Sequence, residues 1–149
     1  MMTPESFRPM IQTLLNSQIQ AVLTTQHQLQ PYTILLAFAM TQDLRHIVFV
    51  TARATQKYAN LMANPRASLL IDNRCNDSTD YRKAVAISAQ GVTREVDAVQ
   101  RAEQFPLYLS KPPHLRDCVT DAACALLQLD LECYDVVSQF QNVSVSERC

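Results

Sequence analysis

The chain has 149 residues, 48% hydrophobic and 18% charged, with a net charge of -1. Those values predict one globular domain over residues 1 to 149 and exclude disordered and fibrous classes. The balance offers no basic footprint for nucleic acid, and no stretch reaches the roughly 20 apolar residues of a membrane span. A cytoplasmic protein with neither nucleic acid nor membrane among its partners is therefore expected.

In chain order, residues 3 to 17 (TPESFRPMIQTLLNS) set Phe7, Met10, Ile11, Leu14 and Leu15 at helical spacing behind Thr3 and Pro4, which predicts an amphipathic leading helix. AVLTT (21 to 25), the polar run QHQLQ and PYTILLAFAM (31 to 40) predict a hairpin whose second strand, apolar on both faces, is fully buried. No glycine stands in that turn, so a looser connection than the tight glycine-dependent ones is expected. HIVFVT (46 to 51) reads as a third strand. From Thr55 the period changes: Tyr58, Leu61 and Met62 share a helical face, and Asn64 before Pro65 ends it. RASLLID (66 to 72) is a fourth strand, and RCNDSTDYRK (74 to 83) a polar excursion, either a lid or a loose loop. AVAISAQGVTREV (84 to 96) is a long strand holding Gly91, the only glycine, which marks a bulge or a close backbone approach. Asp97 opens a further helix, and ACALLQLDLECYDVVSQF and QNVSVSE supply one or two last strands. Six or so strands with helices between them predict a mainly β (α+β) fold, an antiparallel barrel closed so as to leave no sticky edges.

The junction of the third strand and its helix, TARATQK (51 to 57), gathers hydroxyls and cations in a chain that is otherwise nearly neutral. A phosphate needs several converging donors, and a helix start supplies free N–H groups and the positive end of the dipole. Lys57 in a first turn is unfavourable for the helix itself, and a bound anion would remove the conflict. Arg53 adds a guanidinium fork and Thr51 a donor at the strand end. The plain alternative is a Thr55 cap flanked by two solvated charges, and spacing does not separate the two readings. The five cysteines lack paired spacing or histidine neighbours and read as reduced thiols, with Cys124 and Cys133 in the core and no zinc site. His27, His46 and His114 read as surface or structural residues, Asp72 and Asp77 as acids without partners, and Tyr32 and Tyr81 as core or ring-flanking aromatics.

The succession AVLTT, PYTILLAFAM, IVFVTARATQKYANLMANPRASLLID and AISAQGVTREV resembles the pyridoxamine 5'-phosphate oxidase-like, FMN-binding split-barrel superfamily over about residues 20 to 97. Thr51, Thr55, Lys57, Asn60-Leu61 and Asn64-Pro65 before an apolar strand carry it most specifically. The resemblance implies a six-stranded antiparallel split β-barrel of FMN-binding type, with FMN as cofactor. Thr51, Thr55 and Lys57 would hold the flavin phosphate with Val50 beside them, and Ile34, Leu35 and Leu36 would line the ring. Gln56 stands where the oxidases have an arginine, with Arg53 as the compensating donor. It further implies a homodimer with flavin sites at the interface, and a flavin-dependent oxidoreductase taking electrons from a donor such as a reduced nicotinamide to an unidentified small molecule. The alternatives are a non-catalytic FMN- or haem-binding or sensing protein, or a barrel that has lost its flavin. The chain has no Trp and ends NVSVSERC, without the Arg-Leu-x-Pro segment of the true oxidases, so pyridoxamine phosphate is not the expected substrate.

Overall fold

A computed structural model describes residues 4–110, 122–138 and 142–148. Thr3, His114, Cys118 and Cys149 lie outside the described residues. In order the elements are α1 (Pro4–Ser17), β1 (Gln20–His27), β2 (Gln30–Ala37), β3 (Ala39–Met40), β4 (His46–Ala52) and α2 (Gln56–Ala63). They continue with β5 (Arg66–Asp72), α3 (Asp80–Lys83), β6 (Val85–Glu95), α4 (Ala98–Leu109), β7 (Cys124–Ser138) and β8 (Asn142–Arg148).

The strands form one antiparallel sheet in the order β2-β1-β5-β6-β7-β4-β3, with β8 also on β7. This corrects the expected six strands: eight are described, and all but the two-residue β3 have seven residues or more. It also corrects closure. The ladder ends at β2 on one side and β3 on the other, so the sheet is a half-barrel, the split barrel the motif implied. The fork lies on the 15-residue β7, whose first half pairs β4 through Cys124 to Asp130 and whose second half pairs β8 from Cys133.

Alternation decides what the concave face holds. Leu23, Leu69, Ile71, Ile87, Ala89, Leu127 and Leu129 point inward, where Phe7, Ile11, Leu14 and Leu15 of α1 and Leu61 of α2 cover them. A second, smaller cluster of Ala39, Val48, Val96, Tyr108 and Leu126 lies under α4 on the opposite face of β4 and β7. Both clusters follow from residues of successive parity on β4 facing opposite ways.

Two further expectations change. β2 is an edge strand with an exposed, intermediate and buried alternation, and Leu35 is 57% exposed, so it is not fully buried. The β1–β2 turn is tight, not loose: His27 pairs Gln30, leaving a two-residue turn of Gln28 (φ 47°) and Leu29 (φ 70°). A type I′ geometry normally recruits glycine or asparagine; here two other residues take it up. Gly91 is both things the strand pattern suggested. The register shifts between Gln90 and Gly91, leaving Glu132 as the extra residue of a bulge, and a Cβ at Gly91 would sit 2.0 Å from the Asp130 carbonyl oxygen. Residues 73 to 84 form a built loop: the Asp80 carboxylate accepts backbone N–H bonds from Cys75, Asn76 and Asp77, and Asn73 accepts from Val85 N. Cys124 is buried as expected, whereas Cys133 is half-buried on the outer face, its thiol directed at Gln90, and Cys75 is exposed.

Candidate functional site at the β4–α2 junction

β4 delivers Thr51 to the inner face at the top of the sheet, where it is 2% exposed. A buried hydroxyl needs a partner, and Thr51 Oγ1 meets Thr55 Oγ1 at 3.1 Å. Thr55 Oγ1 in turn donates to the Ala52 carbonyl at 2.7 Å and accepts from Tyr58 N, which makes it the N-cap of α2 with extended backbone (φ -122°, ψ 154°). The expected cap is therefore present and is tied to the strand it follows. Lys57, half-buried, occupies the first turn, where the helix field opposes a cation.

The rest of the segment anchors this junction. Gln56 Nε2 donates to Asn60 Oδ1 at 2.7 Å, and Asn60 Nδ2 donates to Thr25 Oγ1 on β1 at 3.0 Å. Asn60 and Thr25 are 1% and 2% exposed, so the Asn of the Asn-Leu pair is the buried bolt holding α2 to the sheet. Asn64 closes the helix: its side chain accepts from Arg66 N, and the Pro65 carbonyl accepts from Thr93 N at 2.7 Å. The motif thus codes for a rigid β–α–β connection before any ligand is considered.

Arg53 has partners of its own. Its Nη1 donates to the Tyr58 hydroxyl at 2.9 Å, its Nη2 is ion-paired with Glu95 at the end of β6, and the guanidinium lies 5.6 Å from the Tyr58 ring centroid. Tyr58 also donates to Glu95 Oε2 at 3.1 Å, which closes a three-residue ring. The bond from Arg53 holds the Glu95 carboxyl below its ordinary range against the opposing effect of burial, and Glu95 raises Arg53 correspondingly. Sequence reasoning missed Tyr58 and Glu95 as parts of the junction. Tyr58 carries a faint signal as the next aromatic after Arg53, but Glu95 is 42 positions away and carries none.

The other expected site residues are placed differently. Val50 faces the cluster under α4, opposite Thr51, so only its backbone lies beside the hydroxyls. Leu36 and Ile34 pack into the main core, and Leu35 faces outward. What β2 offers beside the junction is its unpaired backbone edge: the strand bonds only β1 and lies against β4 across the split. His46 stands at the far end of β4, where its Nδ1 is 2.8 Å from Asp130. As the donor there, Nδ1–H leaves Gln128, 1% exposed, to donate to Asp130 rather than to the ring. Asp72 and Asp77 do have partners, Arg74 at 3.0 Å and Thr79 respectively. Tyr81 is 61% exposed and lines a groove of about 660 Å³ with Leu70, Ala86 and Val137 on the outer face, away from the junction.

The family model described as pyridoxamine 5'-phosphate oxidase matches residues 7–115, which span the junction and both strands beside it. The chain belongs to the pyridoxamine 5'-phosphate oxidase family. Solved structures similar to this family member include a heme binding protein from Mycobacterium smegmatis, at 15% identity and a TM-score of 0.81, covering 91% of this chain and 55% of that one. A FAD-binding protein from Mesorhizobium loti is similar at 18% identity and a TM-score of 0.69, covering 86% and 90%. So is a heme storage protein from Vibrio cholerae, at 15% and 0.73, covering 95% and 96%. The chain spans about half the length of the first of these. At such identities the likeness is one of fold, and the fold is one that carries flavin in one protein and haem in others. No curated protein matches the sequence. Among the described residues no helix is long and apolar enough to cross a membrane.

Proposed function

We propose that this family member is a cytoplasmic FMN-binding flavoprotein, a flavin-dependent oxidoreductase acting on a small molecule. The observation that carries the reading is the pre-ordered junction, in which the buried Thr51 hydroxyl is locked to the Thr55 cap with Lys57 in the first turn of α2. Such a turn offers N–H donors that its own helix cannot satisfy, and a phosphate there offsets the unfavourable field at Lys57.

The residues present fit the cofactor. Thr51, Thr55 and Lys57 would hold the phosphate, with Gln56 beside them and the Val50 backbone behind. Arg53 joins when it turns from Glu95. The edge of β2 at Ile34, Leu35 and Leu36 is an open row of backbone groups against which a flat ring can lie. A second copy of the chain, in this reading, closes the groove from the other side and makes a homodimer with two sites. FMN supplies hydride transfer when bound. The chain's own residues position the phosphate, present a backbone edge to the ring and keep the Thr51 hydroxyl from water. Cys75 and Cys124, which form no disulfide, fit a reducing cytoplasm.

The test is the absorbance spectrum of the purified protein and its titration with FMN. The proposal expects a flavin spectrum, and Lys57→Ala weakening FMN about tenfold or more, the loss of one charge-assisted contact. A colourless protein that takes up no FMN sinks it, and a Soret band on adding haem would transfer the site to the haem branch of the fold. If FMN binds but no reduced nicotinamide bleaches it without oxygen, a nicotinamide-driven oxidoreductase is ruled out and FMN storage or sensing remains.

A further inference from the structure

The ring of Arg53, Tyr58 and Glu95 adjoins the segment proposed to hold the phosphate, since Tyr58 N bonds the Thr55 hydroxyl and Arg53 lies between Thr51 and Thr55, and its chemistry runs against that site. A clasp for a dianion gains from every cation, yet here a carboxylate has claimed the one guanidinium of the β4–α2 loop. Both terminal nitrogens of Arg53 are engaged, Nη1 by the Tyr58 hydroxyl at 2.9 Å and Nη2 by Glu95. Glu95 is itself held from two sides, since Tyr58 bonds its other oxygen at 3.1 Å. The side chains of Arg53 and Glu95 are 41% and 32% exposed, so the pair stands within reach of an incoming anion rather than walled off. Three different elements contribute to it: the loop after β4, the first turns of α2 and the end of β6.

We propose that Glu95 is an internal competitor for the phosphate. It holds Arg53 in reserve while the site is empty and yields it when a phosphate enters. The inference rests on the proposed FMN reading and adds a positioning residue to it. Two consequences follow from charge alone. Removing the carboxylate charge while keeping its shape strengthens binding of a phosphorylated ligand, because Arg53 then has no anionic partner to leave. The same change does nothing for a ligand without the phosphate. A merely structural role for Glu95 predicts the opposite sign and no dependence on the phosphate, since loosening the ring would weaken every ligand alike.

The experiment titrates FMN and riboflavin into wild type, Glu95→Gln, Arg53→Ala and the double variant, following flavin fluorescence. Glu95→Gln is expected to tighten FMN by about two- to fivefold, the range of an exposed ion pair, and to leave riboflavin unchanged. Arg53→Ala is expected to weaken FMN, because it removes a donor and leaves the Glu95 charge facing the phosphate without its guanidinium, held only by the Tyr58 hydroxyl and the field of Arg101. The double variant should then recover part of that loss, a coupling that independent sites do not show. Equal or weaker FMN binding by Glu95→Gln overturns the inference, as does an equal change for riboflavin. Wild type that binds neither ligand overturns the FMN reading and this inference with it, whereas wild type that binds FMN while Glu95→Gln matches it overturns the inference alone. Circular dichroism of each variant identifies loss of fold, and the conservative Arg53→Lys serves as the second probe of the arginine should Arg53→Ala fail to fold, with weaker FMN binding again expected and unchanged binding refuting.

Discussion

Replacing Gly91 by alanine is the most direct test of the sheet. The added Cβ would lie 2.0 Å from the Asp130 carbonyl oxygen, 2.8 Å from its carbon and 3.1 Å from Leu131 Cα. All three are backbone atoms of β7, so no side chain can swing aside. Restoring a contact of about 3.5 Å requires β6 and β7 to part locally by about 1.5 Å. The ladder bonds around Gly91–Leu131 and Val92–Asp130 would stretch. Two or three such bonds at about 1 kcal/mol each, with the strain of overpacking, give a loss of about 3 kcal/mol. For a chain of this size that lowers Tm by about 6–12 °C. Thermal unfolding by circular dichroism and urea midpoints measure it, with Ser88→Ala on the same strand as the control. A Tm drop of less than about 2 °C would mean that the bulge relaxes freely and that close approach is not why glycine stands there.

The β1–β2 turn gives the opposite sign: Leu29 is 88% exposed at φ 70°, so Leu29→Gly loses no packing and should raise Tm by about 2 °C or more in a thermal melt. A lower Tm would show the turn residue to be held by something other than its backbone. Asn60→Ala strands the buried Thr25 hydroxyl and leaves a void under α2, and should cost about 2–3 kcal/mol in urea unfolding; a change below about 0.5 kcal/mol would remove Asn60 from its bolting role. Acid should unfold the protein through its paired carboxylates. Burial tends to raise Asp130, but hydrogen bonds from Gln128, His46 and Arg94 outweigh it and hold it low, and Glu95 is held low by Arg53. Their contribution is therefore complete above the unfolded carboxyl range of about 4 and lost as pH falls below it through the depressed folded values. The urea midpoint should be flat from neutrality to about pH 5 and fall below about pH 4; a midpoint that holds or rises there contradicts the sign.

Much of this fold was legible because its signals are short-range. RASLLID matches β5 residue for residue, Asp97 caps α4 through Gln100 N, and Thr55 caps α2. Each depends on neighbours within four positions. What failed depends on neighbours far off. PYTILLAFAM reads as buried because its composition is apolar, yet burial of a strand is set by what pairs and covers it, and β2 has a strand on one side only. The Gln28-Leu29 turn defeats residue preference because eight paired positions of β1 and β2 impose the geometry. At the junction, the hydroxyls and the cap could be read from spacing, whereas the partner of Arg53 comes from the end of β6 and is visible only once the sheet brings the ends of β4 and β6 to opposite edges of the same stretch of β7.

That difference in range bears on how the site would select a ligand. In the proposed reading the phosphate end is one continuous segment, which Thr51 and Thr55 tie to the end of β4 and Asn60 ties to β1. Preorganised donors cost little on binding, so in the proposed reading recognition of the phosphate would need only this chain. The ring end of that reading is the edge of β2, which among the described residues bonds no strand but β1 and leaves Leu35 exposed. Any discrimination between one ring and another must come from whatever covers β2. Substitutions at residues 51 to 57 should then shift affinity for all phosphorylated flavins together, while changes in the covering surface should alter which ring is accepted and which substrate reaches it.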